Sequence, residues 1–346
     1  MSEQYAALDN NAHGIDNGGA GSISENSGIS CVAGGAVSDA ALADISVNLA
    51  GVRLKNPVIA ASGTFGYGSE YNSIIDVKRL GGICTKGLTI NPRPGNSGIR
   101  IWETPSGLLN SIGLENPGIS VFIEKELPRL RELGPVVIAN LSGEAPDEYL
   151  QGAALLNNSS IDIIEMNISC PNIKAGGMAF GMDPGTAAAL VAGVRRSCKN
   201  KPLMVKLSPN APSLSAVALS CVKAGADALS LVNTFKAMAI DIKKRKPVFD
   251  NVHAGLSGPA IKPIVIRLVW ELIDTLKDAN LMVPIVGIGG IANTDDALEF
   301  LMAGASAIQV GSATFSHPHT MTEIIDGIYK YLADNKMPNI SEVSIK

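Results

Sequence analysis

From about residue 45 the chain alternates short, continuously apolar runs with longer segments in which apolar residues recur every three or four positions. The short runs span 58–61, 82–85, 136–139, 161–166, 203–207, 228–232, 284–286 and 307–310. Apolar runs without polar alternation suit strands covered on both faces, as in a parallel sheet. Amphipathic helices are predicted at 119–133, 184–196, 214–224, 261–276, 294–303 and 320–332. Eight strands alternating with helices fit an α/β fold of the (β/α)8 TIM barrel type. An open doubly wound sheet is the alternative, but it would usually carry fewer strands and an early glycine-rich dinucleotide turn. Two inserts, 88–109 and 235–256, follow strand ends and so belong to the C-terminal face of the strands, where barrel enzymes place substrate-covering loops. An N-terminal hairpin at 46–57 (SVNLAGVRLKNP) is expected to plug the opposite end.

Residues 1–44 break this pattern, being rich in Gly, Ser, Asn and Ala with almost no periodic large apolar residues. Such a segment cannot bury enough surface to offset chain entropy and is expected to be a disordered extension ahead of one catalytic domain at 45–346. Composition narrows the function classes. The 28 basic and 32 acidic residues nearly balance, which argues against nucleic-acid binding through phosphate neutralisation. The five cysteines (31, 84, 170, 198 and 221) form no CxxC and no close pair, so neither a disulfide framework nor a metal or iron–sulfur site carried by this chain alone is expected. No run approaches the length of a membrane-spanning helix, and a soluble cytoplasmic protein is expected.

The densest chemistry is NISCPN (167–172), leaving the fourth strand. Cys170 stands at a strand end beside Pro171, with Asn167 and Asn172 flanking it. A thiol there can serve as a nucleophile or general base, and the amides can read a planar ligand carrying C=O and N–H groups. A buried cysteine acting as a small hydrophobe is the bland alternative. Similar polar strings end other strands: TKG (85–87), NLSG (140–143), VKLSPN (205–210) and VNT (232–234), with NSIGLENPG (110–118) closing the first insert. Lys86 and Lys206 follow apolar runs, where an ammonium needs a partner. A flavin ring, which gathers electron density on reduction, is one such partner, and a Schiff-base role competes with it. GIGGI (287–291) and VGSATF (310–315) follow the last two strands, where barrels cradle phosphate with backbone N–H groups. LSGPAIKP (256–263) adds Gly258 before the next helix.

With TKG, NSIGLENPG, NISCPN, VKLSPN, VNT, LSGPAIKP, GIGGI and VGSATF in this order, the chain closely resembles the dihydroorotate dehydrogenases from about residue 45 to 332. The resemblance implies a barrel holding one FMN per chain that oxidises (S)-dihydroorotate to orotate, the redox step of de novo pyrimidine synthesis. It implies Cys170 as the base that removes the C5 proton while hydride passes from C6 to the flavin. It assigns substrate contacts to Lys86, Asn110, Ser111, Ile112, Gly113, Leu114, Asn167, Asn172, Asn233 and Thr234. It assigns FMN contacts to Ser62, Lys86, Gly87, Asn140, Asn167, Lys206, Val232, Gly258, Gly289, Gly290, Gly311 and Ser312, and no metal site. Membrane-bound, quinone-using members of the family carry a serine base and an N-terminal amphipathic region, unlike Cys170 and the polar N-terminus here. The insert KAMAIDIKKRKP (236–247) resembles the NAD-linked soluble type rather than the fumarate-using one. That type implies a homodimer joined to a partner subunit carrying FAD and a [2Fe–2S] cluster, together a heterotetramer. A dihydropyrimidine dehydrogenase-like flavoprotein is the nearest alternative, and a flavin-free phosphosugar lyase with Lys206 as Schiff base is a more distant one.

Overall fold

A computed structural model describes residues 43–169 and 180–346. The expected extension at 1–44 therefore lies outside the described residues apart from Ala43 and Asp44, and Asp44 bridges in parallel to Asn339. Eight strands close a barrel: β1 (Val58–Ala60), β2 (Gly82–Cys84), β3 (Val136–Leu141), β4 (Ile163–Asn167), β5 (Leu203–Lys206), β6 (Ala228–Leu231), β7 (Ile285–Ile288) and β8 (Ala307–Val310). Every neighbouring pair is parallel, and β8 pairs with β1 to complete the ring. All eight apolar runs of the sequence are thus barrel strands, buried on one face by the barrel interior and on the other by helices.

The helices follow the predicted pattern, and polar caps set several of their starts. Asp183 accepts from the Thr186 amide at 2.7 Å to open Pro184–Ser197, and Asn293 accepts from the Asp296 amide at 2.9 Å to open Thr294–Met302. Such caps stabilise a helix by about 1 kcal/mol each. The predicted helix at 119–133 is interrupted. A π-helical turn, Phe122–Glu126, separates Ile119–Val121 from Leu127–Glu132, where Pro128 lacks the N–H that a regular α-helical ladder needs. Between β1 and β2 no α-helix occurs among the described residues. The chain turns through the 3-10 segment Val77–Arg79 instead, and Phe65 stacked on Tyr71, with Ile75 and Leu80, covers that side of the barrel.

Inside the barrel, side chains two residues apart share a direction. The lower tier is apolar: Ile59, Ile138, Ile163, Met204, Val286 and Ala307 pack on Leu49 and Leu54. Those two leucines come from the hairpin Val47–Leu49 and Val52–Leu54, which plugs the N-terminal end as expected. The two inserts meet over the other end. Their strands form one antiparallel sheet in the order Phe235–Ala237, Ala254–Ser257, Gly107–Asn110 and Ile101–Thr104. The pairing of Gly255 with Asn110 joins segments from opposite parts of the sequence into a single cover.

Candidate active site

One step along the strands towards their C-terminal ends, the inward row turns polar. Ile138 is followed by Asn140, Ile163 by Glu165 and Asn167, Met204 by Lys206, Ala228 by Ser230, and Ala307 by Gln309. Glu165 is the hub of this tier and is fully buried. Its Oε1 accepts from Ser230 Oγ and Gln309 Nε2, both at 2.8 Å. Its Oε2 accepts from Asn140 Nδ2 at 2.6 Å and Cys84 Sγ at 3.1 Å, and stands 3.8 Å from Lys206 Nζ. Burial alone would raise the Glu165 carboxyl, but the Lys206 ammonium and the hydrogen bonds from Cys84, Gln309 and Asn140 outweigh it and hold the group below the usual carboxylate range. Burial, and then the neighbouring Glu165 charge, push the Cys84 thiol well above its ordinary range, so it remains a donor.

Four residues of this hub (Glu165, Cys84, Ser230 and Gln309) were not singled out as site residues by sequence. The signal was present as a charged residue inside the apolar run IIEMN and single polar residues inside ALSL and AIQV. An acid in the middle of a doubly covered strand is rare unless it is paired.

The amide donors committed to Glu165 leave acceptors unused. Asn140 Oδ1 and Gln309 Oε1 are buried without a partner, as is Ser142 Oγ, two residues beyond Asn140. Gly87 lies beside two of them. A Cβ on Gly87 would stand 3.2 Å from both Asn140 Oδ1 and Ser142 Oγ and 2.9 Å from Leu114 Cδ2. Glycine is thus required where the end of β2 packs closely against these two buried oxygens and the NSIGLENPG segment.

That segment is tied down by charge and amides. Lys86, half-buried, has Glu115 Oε2 at 3.8 Å as its ion-pair partner, and Arg100 Nη1 reaches the same oxygen at 3.1 Å. Arg100 also donates to the carbonyls of Asn96 and Pro94. Asn96 Nδ2 donates to the carbonyl and hydroxyl of Ser111 at 3.1 and 3.0 Å, and the Ile112 carbonyl accepts from the Asn96 amide at 2.9 Å. Asn110 donates to the Gly255 carbonyl at 3.2 Å. Asn110 and Ser111 are thus fastened to the insert sheet and its loops, while Leu114 reaches down to Gly87 and Gly113 turns the chain at a positive φ of 79°.

On the opposite side of the mouth, Asn167 and Asn233 meet. Asn167 Oδ1 accepts from the Ser169 amide at 3.2 Å and hydroxyl at 2.5 Å, and Asn233 Nδ2 donates to Ser169 Oγ and, at 3.5 Å, to Asn167 Oδ1. Tyr149 OH fixes the Asn167 carbonyl at 2.8 Å. Thr234 follows, its carbonyl accepting from Asn210 Nδ2 at 3.3 Å. Ser169 is the last described residue before a gap at 170–179, so Cys170 and Asn172 lie outside the described residues.

The glycine loops gather beside β7 and β8. Gly258 and Gly290 both have positive φ, 102° and 75°, and a Cβ on Gly290 would lie 2.9 Å from the Gly258 carbonyl. A Cβ on Gly258 would strike the Gly107 Cα at 2.6 Å. Only glycine fits these two positions, where the backbone packs against Gly107 and Lys262 at a positive φ. Gly289 leaves β7, and Gly311 and Ser312 leave β8, its neighbour in the barrel. Val232 seats the end of β6 by donating its amide to the Ile288 carbonyl at 3.0 Å. Ser62, just past β1, meets the Cys84 sulfur through its backbone. The described members of the expected FMN set thus lie at or just beyond strand ends around one mouth.

Comparison with known proteins gives one answer. The profile of the family described as dihydroorotate dehydrogenase matches residues 44–332. A protein of Petrotoga mobilis named dihydroorotate dehydrogenase B (NAD(+)), catalytic subunit, is 54% identical over 87% of this chain and 98% of its own length. Proteins with the same name from Pelobacter propionicus and Geotalea daltonii are 49% and 50% identical, each over 87% of this chain and 97% of their own length. With the closed barrel and its polar mouth, these matches show that the chain belongs to the dihydroorotate dehydrogenase family.

Proposed function

We propose that this chain is the catalytic subunit of an NAD-linked dihydroorotate dehydrogenase, oxidising (S)-dihydroorotate to orotate in pyrimidine synthesis. The carrying observation is the match, at about half identity over nearly their whole length, to relatives whose name specifies that subunit.

The residues at the mouth suit an FMN. Lys206, only 5% exposed, offers a fixed cation to an electron-rich ring edge. Asn140 Oδ1, buried and unpartnered, offers an acceptor to a ring N–H. The backbone N–H groups of Gly258, Gly290, Gly311 and Ser312, beside the ends of β7 and β8, are the proposed phosphate donors. Ser62, Lys86, Gly87, Asn167, Val232 and Gly289 complete the proposed set. Bound FMN supplies the two-electron acceptor for the hydride that leaves C6.

The chain's own residues supply the rest. Cys170, as a thiolate, takes the C5 proton, and the C5–H electron pair becomes the second bond of C5=C6 as the C6 hydride departs. Asn167, Asn233 and Thr234 on one side, and Asn110, Ser111, Ile112, Gly113 and Leu114 on the other, hold the planar pyrimidine between them, with Asn172 a further proposed contact. Lys86 faces the substrate carboxylate, and Glu115, itself paired with Arg100, competes with that carboxylate for its ammonium. The segment 110–114, locked by Asn96 and Arg100, and the insert sheet above it exclude water from the reacting carbons.

The subunit name supports a partner that carries electrons onward to NAD, for which we propose FAD and a [2Fe–2S] cluster in a heterotetramer built on a homodimer of this chain. Among the described residues no helix is long and apolar enough to cross a membrane, and we place the enzyme in the cytoplasm. The purified chain alone, given dihydroorotate, is expected to reduce an artificial dye but not NAD⁺. Efficient NAD⁺ reduction by the homogeneous chain would contradict the partner. Turnover of dihydrouracil in place of dihydroorotate would move the chain to another pyrimidine.

A further inference from the structure

Glu165 has no place in the proposed chemistry, yet it is fully buried and linked to five other side chains from five barrel strands. An ionised carboxylate only accepts, so each neutral neighbour must turn a donor towards it. The two oxygens divide the work. Oε1 is anchored by Ser230 and Gln309, while Oε2 faces Cys84, Asn140 and Lys206. Because Asn140 commits Nδ2 to Oε2, its other end, Oδ1, is left as a buried acceptor without a partner, packed beside Gly87. The mouth therefore presents an acceptor at Asn140 and a cation at Lys206. The reverse amide orientation would set the Asn140 oxygen against the carboxylate and present N–H to the ligand instead.

We propose that Glu165 is a positioning residue, whose Oε2 fixes the facing of the Asn140 amide and the stance of the Lys206 ammonium, and so sets the donor and acceptor pattern offered to the flavin ring. The inference rests on the FMN reading above. Its chemical content is that the carboxylate must be ionised, since a proton on either oxygen would face a donor. The depression of the Glu165 carboxyl by Lys206 and the surrounding donors agrees with that requirement. A neutral replacement would leave Lys206 a buried cation without its partner and free Asn140 to turn over.

The test is FMN binding by the full-length chain, wild type against Glu165→Gln. Flavin is removed, FMN is titrated back while its fluorescence is followed, and the visible spectrum of the bound form and the melting temperature are recorded. The expected result for Glu165→Gln is FMN affinity weaker by about tenfold or more, on the scale of one lost charge-assisted hydrogen bond, together with displaced flavin absorption bands. A variant that melts earlier, yet binds FMN with wild-type affinity and spectrum once folded, overturns the proposal by reducing Glu165 to a structural role. If Glu165→Gln does not fold, Glu165→Asp keeps the charge and withdraws the carboxylate by one methylene. Several-fold weaker binding with a displaced spectrum then supports the proposal, and wild-type behaviour overturns it. A wild-type chain that takes up no FMN overturns the flavin reading and this inference together, whereas a flavin-binding wild type matched by its variants overturns this inference alone.

Discussion

The two ends of the barrel are built from the same strands and the same inward rows, but they are opposite in chemistry. At the base, Leu49 and Leu54 of the hairpin close on Ile59, Ile138, Ile163, Met204 and Val286, with no charge among them. Two residues further along, at the mouth, Asn140, Glu165, Lys206, Ser230 and Gln309 replace that apolar tier. Burying either leucine contributes about 1.5–3 kcal/mol through area removed from water. The polar tier contributes little net stability, because desolvation offsets most of the attraction within a buried ion pair. What the mouth gains is fixed donors and acceptors at set positions. The base holds the strands together, and the mouth uses them as a frame.

Four experiments test whether the two ends differ in this way. The largest effect is expected from Cys170→Ser, the proposed base, since an unactivated hydroxyl is a poorer base than a thiol. Flavin reduction by dihydroorotate near neutral pH, followed by stopped flow, should slow by a factor on the order of 10²–10⁴ with the melting temperature nearly unchanged. An unaltered rate would remove Cys170 from its role. At the base, Leu54→Ala should show the converse: unfolding free energy lower by about 2–5 kcal/mol in denaturant titrations, with kcat/KM of the folded fraction preserved. A loss of turnover larger than the loss of folded protein would mean that the two ends are coupled.

A smaller effect concerns pH. Glu165 is held below the usual carboxylate range, so its contribution to stability is present above that range and is lost as pH falls through its folded-state value. Glutamine does not titrate, so in urea unfolding at stepped pH, Glu165→Gln should lose stability less steeply than wild type below about pH 4.5. Equal slopes would mean that the carboxylate is not ionised in the folded protein. The smallest effect is expected from Glu115→Gln. With the half-exposed Glu115 charge removed, Lys86 loses a competitor for the substrate carboxylate, and KM for dihydroorotate should fall by about two- to fivefold, the scale of a partly exposed ion pair, with kcat little changed. A raised KM would mean that Glu115 holds Lys86 in place rather than competing for it.

The barrel was legible because strands covered on both faces are predominantly apolar, and all eight runs carried that mark despite single polar or charged residues in several of them. The hairpin plug was legible for a related reason, as two short alternating strands ahead of the first run. The insert sheet was not. Its strands, such as Ile101–Thr104 and Phe235–Ala237, are three or four residues long and only partly buried, and their pairing joins residues about 145 positions apart, as in the bond from Asn110 to Gly255. The glycine loops and the lysines stood out because they end strands. Their partners did not. Glu165 was absorbed into a strand, and Glu115 sat unremarked within NSIGLENPG, although these two acids are what Lys206 and Lys86 meet within the chain. A periodicity reading finds where a strand is buried, but it does not weigh the one charged residue inside it.

On the proposed function this chain, by itself, oxidises dihydroorotate on a flavin held at the barrel mouth. An anaerobic titration of the purified chain with dihydroorotate, with the visible flavin spectrum recorded at each step, tests it most directly. The yellow flavin bands are expected to bleach in proportion to added substrate until one equivalent per bound flavin is consumed. A flavin-loaded chain that stays fully oxidised in excess dihydroorotate would contradict it.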